Sequence, residues 1–279
     1  MLEIFNKKNR SFRKKTISKF QSDNCEFIAD HPILKTFSLD LLYSFKNLQL
    51  SKPISFYVGA HRAFSGHWSK KNIQIAIQTE QFSDEIGQQL WWSGHAELIQ
   101  NIKNSLENCD VFWDLSQHNM PFYQANGLEK MVKKKGVFGP YVFQKNEKKM
   151  RALSYKHIIF CGTLNNRRKE LIKNFQGPKV RIVQRVYGTK LNKMIDQSAG
   201  VLNLHFADGI YTELPRVLSA YNRRRVLVSE MLSAPFKPLE HYICANSYTP
   251  EKAEEVFRKF SSLVADEYNF EILLKEILS

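Results

Sequence analysis

Cysteine is scarce in this sequence, and its spacing excludes the common cysteine-based sites. The chain has four cysteines, and they lie far apart at positions Cys25, Cys109, Cys161 and Cys244. None of them forms a CxxC pair, so the sequence indicates neither a zinc site nor a disulfide framework. We expect all four to be buried free thiols.

Long apolar segments are also absent. No window approaches the roughly 18 consecutive apolar residues of a membrane-spanning helix. The first fifteen residues, MLEIFNKKNRSFRKK, lack the apolar core of a secretory signal. We therefore expect a cytoplasmic protein.

Two glycine motifs for phosphate binding are missing. After the apolar run HIIFC the chain continues GTLNNR, which lacks the GxGxxG fingerprint of dinucleotide-binding enzymes. No GxxxxGK loop is present either. These absences argue against an NAD-dependent enzyme and against an ordinary P-loop kinase.

Acidic residues are outnumbered by basic ones. The chain has 41 Lys and Arg against 27 Asp and Glu, a formal net charge of +14. Such a charge predicts attraction to an anionic partner, which is nucleic acid, a phosphorylated ligand or a membrane surface. Seven basic residues lie in the first nineteen and indicate a basic arm, either a membrane-contacting segment or a solvated tail.

The apolar residues fall into short blocks that alternate with helical patterns, which is typical of α/β layers. We expect strands in a first series at 25–29, 54–59, 72–79 and 110–116, and in a second at 157–162, 180–184, 200–205, 225–230 and 242–245. Helices are predicted between them, one of them beginning at Ser38 as N-cap. The polar segment 143–155 predicts a linker.

This alternation predicts two doubly wound domains, residues 1–150 and 151–279, with ligands bound in the cleft at the carboxyl ends of the strands. The stretch LNLHFADGIYTELPR is informative here, because His205 ends a strand while Glu213 and Arg216 begin a helix. Glu213 and Arg216 are spaced for a simple surface ion pair. Alternatively, the carboxylate suits sugar hydroxyls and the guanidinium suits a diphosphate, and a nucleotide sugar carries both groups.

Three segments of the second half, about residues 157–232, resemble the donor domain of GT-B glycosyltransferases. They are IIFCGTLNNRRKELI, VQRVYG with TKLNKMIDQSAGVLNLH, and ELPRVLSAYNRRRVLVSE. The likeness is to bacterial enzymes that build surface polysaccharides. It implies two Rossmann-like domains, a nucleotide-sugar donor and a glycan or lipid-linked acceptor. If the basic arm binds the membrane, the protein would act at the inner face of the cytoplasmic membrane.

The resemblance also implies residue roles on the donor side. It places the donor phosphates at Gly162, Thr163 and Arg167, the base at Tyr187 and Gly188, and the diphosphate or sugar near His205. Many relatives have a second glutamate where this chain has Ser219. Either Glu213 then takes over its contact with the ribose hydroxyls, or Ser219 makes a weaker one.

The first half carries segments similar in form to the same transferases, IAIQTEQ, CDVFWDLSQHN and KGVFGPYVF. Inverting transfer needs a base for the acceptor hydroxyl. Glu80, at a predicted strand end, is the first candidate for this base and His61 is the second. The alternative for Glu80 is a local cap or salt bridge. A retaining enzyme would need no such base. We expect no bound metal. We also expect the last helix to return to the first domain.

A competing hypothesis explains the charge without any chemistry. A basic α/β protein that binds nucleic acid would show the same net charge. It would bind oligonucleotides with a steep salt dependence and would not bind nucleotide sugars.

Overall fold

The computed structural model describes residues 17–22, 24–45, 50–64, 66–69, 71–90, 96–151, 156–245 and 247–278. The first half of the chain forms one sheet with its helices. The strands are β1 (Ser18–Ser22), β2 (Cys25–Ala29), β3 (Ile54–Val58), β4 (Ile73–Gln78), β5 (Val111–Asp114) and β6 (Gly136–Phe138). The helices are α1 (Pro32–Phe45), α2 (Ala96–Asn108), α3 (Met120–Ala125) and α4 (Glu129–Lys135).

The second half forms a separate sheet. Its strands are β7 (His157–Cys161), β8 (Lys179–Val183), β9 (Gly200–Asn203), β10 (Val226–Ser229) and β11 (Ile243–Cys244). Its helices are α5 (Asn166–Lys173), α6 (Gly188–Asp196) and α7 (Leu214–Asn222). Two further helices, α8 (Pro250–Glu267) and α9 (Phe270–Leu278), end the chain.

In the first sheet the strand order β1-β2-β3-β4-β5-β6 follows the chain. β1 is antiparallel to β2, and the remaining neighbours are parallel. Helix α1 packs on one face, while α2, α3 and α4 pack on the other. The strands are buried on both faces, which explains their nearly continuous apolar sequences.

The second sheet is parallel, and its strand order is β11-β10-β9-β7-β8. From β7 the chain first adds β8 on one side and then β9, β10 and β11 on the other. Helices α5 and α8 cover one face, and α6 and α7 cover the opposite face. The reversal between β7 and β9 opens a crevice at their carboxyl ends.

The predicted two-sheet α/β architecture is confirmed. One apolar cluster continues from the first sheet through α1, α7 and α9 to the second sheet, with Phe56, Leu218 and Leu273 among its buried members. The domain boundary at residues 150/151 stays a prediction. Within the predicted linker, Phe143 is fully buried and pairs with Asn269, and residues 152–155 lie outside the described residues.

The last helix contacts the first half of the chain. Phe270 of α9 touches the ring of Phe45 on α1 and lies 6.0 Å from the ring of Trp113 on β5, measured between ring centroids. The backbone of Phe270 also donates to the carbonyl of Phe143. These contacts are part of the apolar cluster that both halves of the chain share.

Two sequence predictions are corrected here. Ser38 is not an N-cap, because α1 begins six residues earlier at Pro32 and the buried Ser38 hydroxyl donates to the carbonyl of Leu34 inside the helix. The basic arm is shorter than predicted, since β1 starts at Ser18 and Lys19 pairs with Glu26 across the hairpin at 3.2 Å. Residues 1–16 of the arm lie outside the described residues.

The cysteines follow the prediction only in part. All four are free thiols. Cys25 and Cys109 are buried, whereas Cys161 and Cys244 are partly exposed because each lies at the end of a strand of the second sheet.

Candidate functional site

The candidate site lies at the crevice where the second sheet reverses its strand order. Gly162 directly follows β7, His205 comes two residues after β9, and Glu213 immediately precedes α7. A Cβ atom built on Gly162 would lie 3.4 Å from guanidinium nitrogens of both Arg168 and Arg216. The loop after β7 therefore runs against two cations, and a side chain at position 162 would reduce the space between them.

Glu213 is held by these two arginines. Its Oε1 accepts from Arg168 Nη2 at 3.2 Å and from Arg216 Nη2 at 3.4 Å, and its Oε2 accepts from Arg216 Nη1. Burial by itself would raise the pKa of Glu213, but the two guanidinium groups outweigh it and lower that pKa. The carboxylate is therefore ionised at neutral pH and forms more than an isolated surface pair.

Arg168 was missed by the sequence analysis. Only 3% of it is exposed, and it donates to the carbonyls of Leu204 at 2.7 Å and Thr163 at 2.9 Å. It thereby ties the loops after β7 and β9 to Glu213. The signal was the sequence NNRR at 165–168, because the Asn165 cap, which accepts from the Arg168 backbone at 2.9 Å, sets which arginine faces the sheet.

Arg167 lies in a different ion-pair network. Its Nη1 and Nη2 donate to Glu230 at 3.0 and 2.5 Å, and its Nε donates to Asp208 at 2.6 Å. The hydrogen bonds to Glu230 are the main cause that raises the pKa of Arg167. Two carboxylates already offset its charge, so its phosphate role stays a prediction, and the cations beside Gly162 are Arg168 and Arg216.

His205 is almost fully buried between the loop and the sheet. Its Nδ1 is 2.9 Å from the carbonyl of Gly209, its ring stacks on Tyr211 at 4.1 Å, and its Nε2 has no hydrogen-bond partner among the described residues. Burial lowers the pKa of His205, so the ring is neutral at pH 7. Because the Gly209 carbonyl only accepts, Nδ1 carries the single proton of the neutral ring, and the unpaired Nε2 is a hydrogen-bond acceptor.

Glu80 approaches the same crevice from the first sheet. It comes two residues after β4 and is accessible to solvent, and its carboxylate makes no hydrogen bond or ion pair with another described residue. The carboxylate is partly desolvated by the protein around it, and this desolvation is the main cause that raises the pKa of Glu80 to about 7. The negative charge of Glu213 is the second cause. The sheet ends thus bring together a free carboxyl group and the Glu213–Arg216 pair.

A cavity of about 160 Å³ extends from Glu80 between the two halves of the chain. Its first-half lining comes from the segments after β4, β5 and β6, and its second-half lining from the start of α7 and the loop after β10. Beside it, Gln81 Oε1 accepts from the Thr212 backbone at 3.0 Å and from the Ser233 hydroxyl at 3.1 Å. Direct hydrogen bonds therefore hold the two halves together next to Glu80 and Glu213.

His61 is less suited than Glu80 to act as a base. Burial is the main cause that lowers the pKa of His61 to about 4, with a smaller contribution from the neighbouring Arg62. A proton acceptor works best when its pKa is near the working pH. Glu80 meets this condition, whereas His61 is a weak base that stays neutral.

The other residues predicted for the donor site lie away from the crevice or at its edge. The Ser219 hydroxyl donates to the fully buried Asp40 of α1 at 2.5 Å, so it faces the other half of the chain rather than the crevice. The Gly188 backbone donates to Thr36 Oγ1 at 2.8 Å, and Tyr187 beside it is exposed. The exposed Thr163 lies in the loop after Gly162, and its carbonyl accepts from Arg168 Nη1 at 2.9 Å.

Among the described ranges, no group of three or more His, Cys, Asp or Glu side chains is arranged to hold a metal ion. In that same part of the chain, no helix has the length and apolar character needed to cross a membrane. The expectation that no metal is bound stays a prediction.

No protein-family model and no curated protein sequence matches the chain. Among solved structures, the chain is similar to accessory secretory protein 1, 2 and 3 of Streptococcus pneumoniae, with a TM-score of 0.45, 9% identity, and coverage of 90% of this chain and 58% of that one. It is also similar to HepE of Anabaena in complex with UDP, with a TM-score of 0.46, 8% identity, and coverage of 88% and 80%. The chain thus spans less than two thirds of the first of these proteins, and similarities at this level assign neither residues nor an activity to it.

Proposed function

We propose that the chain is a glycosyltransferase that moves a sugar from a nucleotide-sugar donor to a glycan or lipid-linked acceptor, in the synthesis of a bacterial surface polysaccharide. One observation carries the proposal. A free carboxyl group with a pKa near 7, Glu80, enters the crevice where Arg216 and the loop at Gly162 offer a site for a diphosphate. The resemblance of residues 157–232 to GT-B donor domains supports the same assignment.

On the acceptor side, Glu80 is the general base for inverting transfer. Its carboxylate takes the proton of the acceptor hydroxyl as that oxygen forms its bond to the anomeric carbon. The bond from the anomeric carbon to the diphosphate breaks, and the nucleoside diphosphate leaves with the electron pair. Because the carboxylate has no other partner among the described residues, no internal bond must be broken before it accepts the proton.

On the donor side, Arg216 stabilises the charge that develops on the leaving diphosphate. Glu213 accepts from both terminal nitrogens of its guanidinium and Asn203 accepts from Nη1, which holds the group in place. Arg168 anchors the loop of Thr163 and so fixes the backbone after Gly162. His205 lies two residues after β9, and its buried Nε2 has no partner among the described residues.

A thermal-shift panel tests the donor class directly. We expect one group among UDP-, GDP-, CMP- and dTDP-sugars to raise the Tm by about 5–10 °C at a hundredfold excess over Kd, because ligand bound only to the folded state stabilises it by about 2.7 kcal/mol. An oligonucleotide is the control. A response to the oligonucleotide alone, lost steeply with salt, would contradict the proposal and favour the nucleic-acid hypothesis.

The basic arm is proposed to contact an anionic membrane surface, where lipid-linked acceptors reside. Because β1 begins at Ser18, the deletion that tests this should remove residues 2–16 and leave the hairpin intact. Each Lys or Arg near such a surface contributes about 1 kcal/mol, so loss of six of them should reduce co-sedimentation with phosphatidylserine vesicles at least about tenfold. Vesicles of neutral phosphatidylcholine are the control, and unchanged sedimentation of the shortened chain would refute the proposal.

A further inference from the structure

Two buried amide side chains, Asn119 and Gln78, hold the backbone that follows Glu80, and Asn119 bonds it at two points. The Asn119 Nδ2 donates to the carbonyl of Glu80 at 2.9 Å, and its Oδ1 accepts from the backbone of Phe82 at 2.6 Å. The Gln78 amide donates to the same Glu80 carbonyl, also at 2.9 Å. Asn119 is fully buried in the turn that precedes α3, so it reaches the Glu80 segment from a different part of the first half.

Asn119 is itself oriented by Asp114, which ends β5. The Asn119 Nδ2 lies 3.0 Å from both carboxylate oxygens of Asp114. The Tyr123 hydroxyl donates to Asp114 at 2.5 Å and the Ser116 backbone donates at 2.9 Å. Burial raises the pKa of Asp114 to about 7, and in its ionised form the carboxylate only accepts hydrogen bonds, so it favours the amide orientation in which Nδ2 faces Asp114 and Oδ1 faces Phe82.

This arrangement matters because the side chain of Glu80 is not itself held by a hydrogen bond to a described residue. Its carboxylate has no partner among the described residues, so its place in the crevice depends on where the backbone holds its Cα atom. A displacement of about 1 Å at a reacting group can cost about a hundredfold in rate. An apolar side chain at position 119 would fill the space but could not bond the two successive peptide groups that follow Glu80, through the Glu80 carbonyl and the Phe82 N–H.

We propose that Asn119 is a positioning residue for Glu80 and that Asp114 sets its orientation, so that the two sheet ends after β4 and β5 act as one support for the proposed base. This proposal rests on the proposed function. It concerns the turnover step alone, since the hydrogen bonds of both residues lie within the first half of the chain.

A double-mutant cycle tests it. Asn119→Ala should lower kcat about tenfold or more, while the donor Kd measured by calorimetry changes less than about twofold. In a Glu80→Gln background the same substitution should lower the residual kcat no further, because the group that Asn119 positions has already lost its function. Asn101→Ala is the matched control, since Asn101 donates in the same way to the carbonyl of His61 at 3.2 Å, and it should leave kcat unchanged.

Gln78→Met provides a second variant if Asn119→Ala folds poorly, because it removes the other amide that donates to the Glu80 carbonyl and keeps the side-chain size. It should lower kcat in the wild-type background alone. An equal loss of kcat in both backgrounds, or no loss in either, would overturn the positioning role. Full activity of Glu80→Gln by itself would instead refute Glu80 as the base, so the two failures are distinguishable.

Discussion

Glu80→Gln should lower kcat by about 10²–10⁴-fold, the usual contribution of a positioned general base. The amide keeps the size of the side chain but cannot accept the proton of the acceptor hydroxyl. Donor binding should be retained, because Glu80 lies opposite the pair formed by Glu213 and Arg216. The measurement is the steady-state rate with the donor that the thermal-shift panel identifies, together with the donor Kd from calorimetry.

The same variant should be more stable than wild type at alkaline pH. The pKa of Glu80 is raised from 4.5 in the unfolded chain to about 7 in the fold, so its ionisation opposes folding increasingly between those two values. Gln removes this cost, which is zero below the unfolded value and complete above pH 7. Allowing for solvent screening of the exposed carboxylate, we expect about 1 kcal/mol, or a Tm higher by about 2–4 °C at pH 8.5 and unchanged at pH 4.

Glu97→Gln is the control for both effects, because Glu97 is an exposed glutamate in the first turn of α2. It should change neither kcat nor the pH dependence of Tm. An active Glu80→Gln enzyme would show that transfer needs no base at this position, as in a retaining mechanism. A variant that is inactive and also less stable at alkaline pH would indicate a structural role for Glu80.

Arg216→Lys should weaken donor binding about tenfold, which is about 1.4 kcal/mol. Lysine keeps the charge but loses the planar guanidinium that donates to Glu213 and Asn203, and with it the capacity for a bidentate contact with a diphosphate. Calorimetry with the identified donor measures the effect. Arg258→Lys, at an exposed position on α8, is the control, and equal affinity in both variants would contradict the donor site.

Glu213→Gln tests the other member of the pair and should have two effects. Donor affinity should fall about tenfold if the carboxylate binds the donor hydroxyls, and the Tm should fall as well, because the buried Arg168 loses its ionised partner. Loss of the negative charge next to Glu80 also lowers the pKa of Glu80, so the acid limb of the rate profile should move to lower pH. A lower Tm with wild-type donor affinity would leave Glu213 with a structural role only.

The sequence predicts the strands of both sheets well because buried parallel strands are continuous apolar runs. The predicted strand at 25–29 matches β2, and the nine predicted strands all correspond to observed ones. β1 was missed since its five residues SKFQS are mostly polar, and it is stable only through antiparallel pairing with β2. Ser38 was misplaced as a cap because a serine can also bond to a carbonyl four residues earlier within a helix.

For the candidate site, the sequence predicted which strand ends meet but not which side chains remain free. Glu213 and Arg216 were predicted from their spacing at the helix start, and Glu80 from its place after a strand. The choice of Arg167 over Arg168 could not be made from the sequence, because it depends on which of two adjacent arginines meets Glu230. Ser219 bonds to Asp40 across 179 residues of sequence, a contact that no local pattern indicates.

The pH dependence of kcat/KM, compared between wild type and Glu80→Gln, tests the central claim most directly. This ratio reports the ionisation of the free enzyme. Wild-type activity should fall about tenfold per pH unit below a midpoint near pH 7, the pKa expected of Glu80, and the small residual activity of Glu80→Gln should lack this limb. A wild-type profile that is flat through pH 7, or the same acid limb in Glu80→Gln, would contradict the assignment of Glu80 as the base.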